Sequence, residues 1–198
     1  MRPPLAIMAC LLISAASAAP ISARAQAYQL FVSPMGEPFR ADYSKPFPSA
    51  AWFAQADANH DGVITREEFR ADALRFFKLL DDNGDGKIDD IEIHRYEQQI
   101  APEIIVATID TSNRDPGEDQ NGDKKQATLS TVPQGAAYYG MINDPEPVRS
   151  ADVDFNNKVT QAEWMDAADR RFKLLLPDGK DGLRLADLPR PGAQGKHP

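Results

Sequence analysis

The sequence predicts a mainly α fold built from duplicated helix-loop-helix units, with short β bridges between loops and irregular Pro-rich segments at the edges. Three observations carry this expectation. Two acidic twelve-residue loops, 57–68 and 81–92, start 24 residues apart. Between them Phe69, Ala73, Phe76, Phe77 and Leu80 recur at helical spacing with no Gly or Pro, so one helix serves both loops. From residue 150 the pattern returns at an offset of 95: residues 64–80 correspond to 159–175, and both stretches end Phe-Lys-Leu-Leu.

The chain has 198 residues, 42% hydrophobic and 26% charged, which suits a globular protein with a real core. Residues 1–27 read as a signal peptide: Arg2, an apolar run of about 15 residues, then Ala25-Gln26-Ala27 as a small-x-small cleavage site. The run is short of the ~20 residues a membrane span needs, so no membrane insertion of the mature chain is expected. Periplasmic or secreted localisation follows. The single cysteine, Cys10, lies in the segment expected to be removed, which leaves no disulfide and no thiolate ligand. Cleavage after Ala27 removes Arg2 and Arg24 but no acid and takes the net charge from -8 to -10. Such a chain repels nucleic acid.

Residues 28–48, rich in Pro and aromatics, are expected to form an irregular arm of extended pieces and turns whose Phe31, Phe39 and Phe47 pack on the helical core. Ser49 is placed to cap a helix over 50–56 that carries Trp52 and Phe53 into the first loop. Another helix, 91–100, follows the second loop and stops before Pro102. The segment 101–146 connects the two halves, and its polar run 110–127 reads as a mobile insert. There Asp119, Asn121 and Asp123 start like a metal loop, but Lys124 takes the turn and Ser130 the closing acid. The units are 49–100 and 147–188, and the tail 189–198 is expected to be disordered.

The loops carry the chemistry. A hard cation such as Ca2+ takes six to eight oxygens at about 2.3–2.6 Å, so a chain wrapping it must offer oxygens at alternate positions. In the first loop these are Asp57, Asn59, Asp61, the Val63 carbonyl, Thr65 and Glu68, with Gly62 at the sharp turn. The second offers Asp81, Asn83, Asp85, the Lys87 carbonyl, Asp89 and Glu92, turning at Gly86. The third offers Asp152, Asp154, Asn156, the Lys158 carbonyl, Thr160 and Glu163. Its departure is Asn157 at the turn, the side chain that best tolerates a positive φ after Gly. A fourth loop is expected near 176–189. Setting Gly182 on the turn puts Pro177 and Leu188 at its ends, so both end carboxylates are missing and only a shortened loop using Asp178 and Asp181 would bind.

These loops resemble the EF-hand superfamily, and with the leader, the close loop spacing and the duplication they are similar to the exported EF-hand proteins of bacteria. The resemblance covers 49–100 and about 147–188. It implies three Ca2+ sites, with the fourth open, and a structural or buffering role. The alternative is a calcium-dependent sensor or adaptor with an unidentified protein partner. Sensors that open present Met-rich grooves, whereas the mature chain has only Met35, Met141 and Met165. His60, His94 and His197 sit in no catalytic motif, and no enzymatic activity is expected.

The spacing also constrains how the loops pair. A single helix of about twelve residues holds loops one and two about 18 Å apart. The hands are therefore expected to pair across the duplication, loop one with loop four through Ile64 and Leu185, loop two with loop three through Ile88 and Val159. The competing layout is two independent lobes joined by the insert.

Overall fold

The structure, a computed structural model, describes residues 28–105 and 133–188; the expected leader, the insert 110–127 and the tail lie outside the described residues. The first described segment is more regular than its composition suggests. Strands β1 (Gln29–Val32) and β2 (Pro38–Ala41) form an antiparallel hairpin with Phe31 opposite Phe39. Leu30, Phe31 and Val32 are all buried, and that burial favours the extended pair over an irregular arm. Pro38 is tolerated because it opens its strand. As expected, Phe31, Phe39 and Phe47 pack on the core.

Helix α1 (Ser49–Ala56) buries Trp52, Phe53 and Ala56, but Ser49 does not cap it. Pro48 holds the cap position, makes no side-chain cap bond, and its carbonyl accepts from Ala51 and Trp52 at 3.0 and 3.2 Å. Helix α2 (Arg66–Leu80) is the single helix expected between the loops. It starts in a capping box: the Thr65 hydroxyl accepts from the Glu68 N–H while the Glu68 carboxylate accepts from the Thr65 N–H. After β3 (Lys87–Ile88) comes α3 (Asp90–Arg95), which begins one residue earlier than expected and widens into a π turn at Tyr96–Ile100. The Ala101 N–H donating to the Tyr96 carbonyl at 2.8 Å closes that turn. Beyond the undescribed residues, short 3-10 turns at Gly135–Tyr138 and Arg149–Ala151 lead to β4 (Val159–Thr160) and α4 (Gln161–Leu175).

Helices α2 and α4 occupy equivalent places in the two repeats and pack antiparallel as the centre of the molecule. Phe69 meets Phe172 with ring centroids 5.6 Å apart, and Trp164 meets Phe77 at 6.0 Å. The offset of 95 carries Phe69 onto Trp164 and Phe77 onto Phe172, so these are one contact made twice. Trp164 is fully buried, and its indole N–H donates to the Ala73 carbonyl at 2.8 Å, which spares the core an unpaired donor. Outside the pair, Asp169 accepts from both Arg66 and Arg70. Of the buried positions of α2, one is charged in the second repeat: Arg171 stands where the first has Phe76. It is buried and donates to Asp144 at 2.9 Å, to the Ser150 hydroxyl at 2.8 Å and to the Pro147 carbonyl at 2.6 Å. The guanidinium thereby ties the 144–150 segment to α4.

The loops pair across the duplication. Lys87 and Ile88 face Thr160 and Val159 in the two-residue ladder β3–β4. Loop one meets loop four as expected, but through Leu183 and not Leu185. Leu183 is fully buried, whereas Leu185 is 41% exposed. The physical reason is the repeat itself: the same offset that carries Ile64 onto Val159 carries Ile88 onto Leu183. The two independent lobes are excluded, since one hydrophobic cluster takes in residues from the hairpin, α1, α2, α3 and α4.

Candidate metal-binding loops

Each of the first three loops folds around its own carboxylates by the same hydrogen bonds. At position 1, Asp57, Asp81 and Asp152 each accept from two backbone N–H groups, those of positions 5 and 6; the bonds to Gly62, Gly86 and Asn157 are 2.9, 3.0 and 2.9 Å. At position 3, Asn59, Asn83 and Asp154 accept from the N–H of position 5. At position 5, Asp61, Asp85 and Asn156 accept from the N–H of Val63, Lys87 and Lys158, each at 2.8 to 3.0 Å. The closing residue reaches back over the loop: Glu68 accepts from Asn59, Glu92 from Asp82 and Asn83, and Glu163 from Val153. Its other oxygen takes the N–H of Thr65, Asp89 or Thr160. The expected side-chain ligands of each loop are thus hydrogen-bonded to that loop's own backbone, with Val63, Lys87 and Lys158 between them; among the described residues only loop three brings three carboxylates within 4.8 Å of one another.

The backbone supports this winding. Gly62, Gly86 and Asn157 have φ of 84°, 81° and 61°, so Asn157 does adopt the left-handed turn expected of it. Position 4 is also left-handed in all three loops, at His60, Gly84 and Phe155. The exit helices fix the closing acid, because positions 9 and 12 are the two halves of a capping box: Thr65 with Glu68, Asp89 with Glu92, Thr160 with Glu163. These bonds act on charge. The Thr65 N–H holds the Glu68 carboxyl below its ordinary range. For Glu163, burial pushes the carboxyl up but is outweighed by the Thr160 hydroxyl and N–H, and the net direction is down. Both acids are kept ionised. Loop two is closed from a further side, where Arg95 on α3 donates to the Leu79 and Leu80 carbonyls at the end of α2.

The donor set fits a hard cation. Every side-chain group is an oxygen from a carboxylate, amide or hydroxyl, with no imidazole or thiolate among them. In loop three, carboxylate oxygens of Asp152, Asp154 and Glu163 lie within 4.8 Å of one another, which is about the widest separation of two oxygens bound to one Ca2+ at 2.4 Å. His94 is exposed on α3, as a surface residue would be.

The fourth loop departs from the expected register. With Leu183 at position 8, Leu176 falls at position 1, Asp178 at 3, Lys180 at 5, Arg184 at 9 and Asp187 at 12, so only the first end carboxylate is missing, not both as expected, and Gly182 is not the turn residue. Gly179 then matches His60, Gly84 and Phe155 at position 4 and shares their positive φ, at 74°. Sequence reasoning missed Leu183 and the role of Arg171, and set Gly182 one position off. Leu183 and the place of Gly182 were reachable by applying the offset of 95 through the last loop; the same offset sets Arg171 on the core position of Phe76, but nothing in the sequence names its partners.

Residues 50–71 and 75–95 match the family model described as EF hand, which takes in loops one and two. No curated protein and no solved structure matches the chain significantly. Among the described residues no helix is long and apolar enough to cross a membrane.

Proposed function

Because the chain belongs to the EF-hand calcium-binding family, we propose that it holds three Ca2+ ions and that the ions stabilise its fold without switching it. The ligands are Asp57, Asn59, Asp61, Val63, Thr65 and Glu68; Asp81, Asn83, Asp85, Lys87, Asp89 and Glu92; and Asp152, Asp154, Asn156, Lys158, Thr160 and Glu163, with Val63, Lys87 and Lys158 acting through their carbonyls. The single observation that carries this reading is the common hydrogen-bonded winding of all three loops, each closed by a carboxylate that accepts from position 2 or 3 at its start and from position 9 near its end. Loop four is left metal-free, with cationic Lys180 and Arg184 at two ligand positions. It serves as the packing partner of loop one.

A structural or buffering role is favoured over a sensor by the packing of the central helices. The face of α2 that a responsive hand would uncover is filled by Trp164 and Phe172 of α4, and Met35, Met141 and Met165 are buried or packed against the same core. The apolar run and Ala25-Gln26-Ala27 near the start of the chain support export, where calcium is available to fill such sites. Hydrophobic-dye fluorescence tests the role: equal dye binding in calcium and in chelator at a temperature where both forms are folded supports the structural reading, and a large calcium-dependent rise supports the sensor. The N-terminal residue of the exported protein, expected at Tyr28, tests the leader.

A further inference from the structure

Gly182 is buried where loop four crosses loop one. A Cβ placed there would lie 2.4 Å from Val63 Cγ1 and 3.0 Å from the Ile64 carbonyl oxygen. No side chain enters that space unless Val63 and Ile64 move, and a β-branched valine has little rotamer freedom with which to yield. The φ of Gly182 lies outside the left-handed region, so what its lack of a Cβ supplies is room and not conformation. The other loop pair shows the contrast. There the matching positions are Lys87 and Lys158, two unbranched side chains that both reach solvent. Only in the first pair is a branched residue at a ligand-carbonyl position matched by a residue with no side chain at all.

We propose that Gly182 is a positioning residue for the 57–68 metal site: it offers that site no ligand atom, and it leaves the space in which Val63 and Ile64 hold the backbone that carries the position 7 carbonyl. This rests on the calcium reading of loop one. A loop that has Leu176 at position 1 and the cations Lys180 and Arg184 at positions 5 and 9 thus sets the affinity of its neighbour. Displacing a group that orients a metal ligand costs 10- to 100-fold in affinity in other metal sites.

The test uses the full chain with Glu92→Gln and Glu163→Gln, which leaves loop one as the single intact site. This parent is expected to take up one Ca2+ by calorimetry; a parent that takes up none overturns the reading of loop one, and the inference with it. In the parent, Gly182→Ala is expected to raise the Kd for Ca2+ at least about tenfold. Adding Val63→Ala, which removes the methyl the new Cβ meets, is expected to return the Kd to that of the parent carrying Val63→Ala alone. In a Glu68→Gln chain, which keeps loops two and three, Gly182→Ala is expected to leave both remaining affinities unchanged. A Gly182→Ala titration that superimposes on its parent overturns the proposal, as does a loss that Val63→Ala fails to rescue or one shared equally by loops two and three. Should Gly182→Ala alone fail to fold, the double variant decides: folding and binding like the Val63→Ala chain supports the proposal, and failure to fold overturns it.

Discussion

Ile64 and Leu183 exchange both of their backbone hydrogen bonds, at 2.8 and 2.9 Å, although they belong to opposite halves of the duplication. Both side chains are fully buried. Leu183→Ala is therefore expected to cost about 2–5 kcal/mol by opening a cavity. The same change at Leu185, which is 41% exposed, is expected to stay within about 0.5 kcal/mol. Urea unfolding of the two variants in saturating calcium reads the difference, and equal losses would mean that the bridge is wrongly placed.

Arg171 and Asp144 give a second, asymmetric expectation. Asp144→Ala strands a buried guanidinium, which costs about 3–5 kcal/mol when a charge partner is removed. Arg171→Met leaves Asp144 with a side chain 19% exposed and within reach of water, and it restores the apolar character that Phe76 has in the first repeat. The methionine variant is expected to be the more stable of the two by thermal melting.

Most of the binding loops was legible in the sequence, because oxygen-bearing residues at fixed alternate positions leave little freedom in how a chain can wind round an ion. The cross-pairing was legible too, from the single helix between loops one and two. The hairpin was not: Pro34, Gly36, Pro38 and Pro46 advertise turns, and only the tertiary burial of Leu30, Phe31 and Val32 decides for strands. The fourth loop was misread, Gly182 by one position and the bridge residue by two, because Gly182 looks like a turn glycine, whereas a Cβ there would meet Val63. The partners of Arg171 were illegible for another reason, although the offset of 95 places it on the core position of Phe76. Asp144, Pro147 and Ser150 come from a segment with no periodicity to align.

Acid should weaken the contact between α2 and α4. Hydrogen bonding to Arg66, and then to Arg70, holds the Asp169 carboxyl below its ordinary range. A group depressed in the folded state contributes stability that is complete above its unfolded pKa of about 3.9 and is lost as pH falls through the lower folded value. Asp169→Asn is expected to lower stability at pH 7 by no more than about 1 kcal/mol, since the side chain is partly solvated, and to converge with the parent as pH falls through that lower folded value. Melting temperatures of both chains over that range check it; a constant gap at all pH values would assign Asp169 another role.

Calcium removal should destabilise the whole body at once, because loops from both repeats share one core. An ion bound only to the folded state at about 100 times its Kd adds about 2.7 kcal/mol per site. A single cooperative melt shifted well down by chelator is expected. A melting temperature indifferent to chelator would remove the stabilising role.

The most direct measurement is the Ca2+ stoichiometry of the intact chain by calorimetry, repeated after Glu68→Gln, Glu92→Gln and Glu163→Gln. Three equivalents per chain are predicted, with loop two tightest because Asp81, Asp85, Asp89 and Glu92 give it four acids, and each substitution should remove or severely weaken one equivalent. Three equivalents undiminished in all three variants, or a wild type that takes up fewer than three, would contradict the assignment.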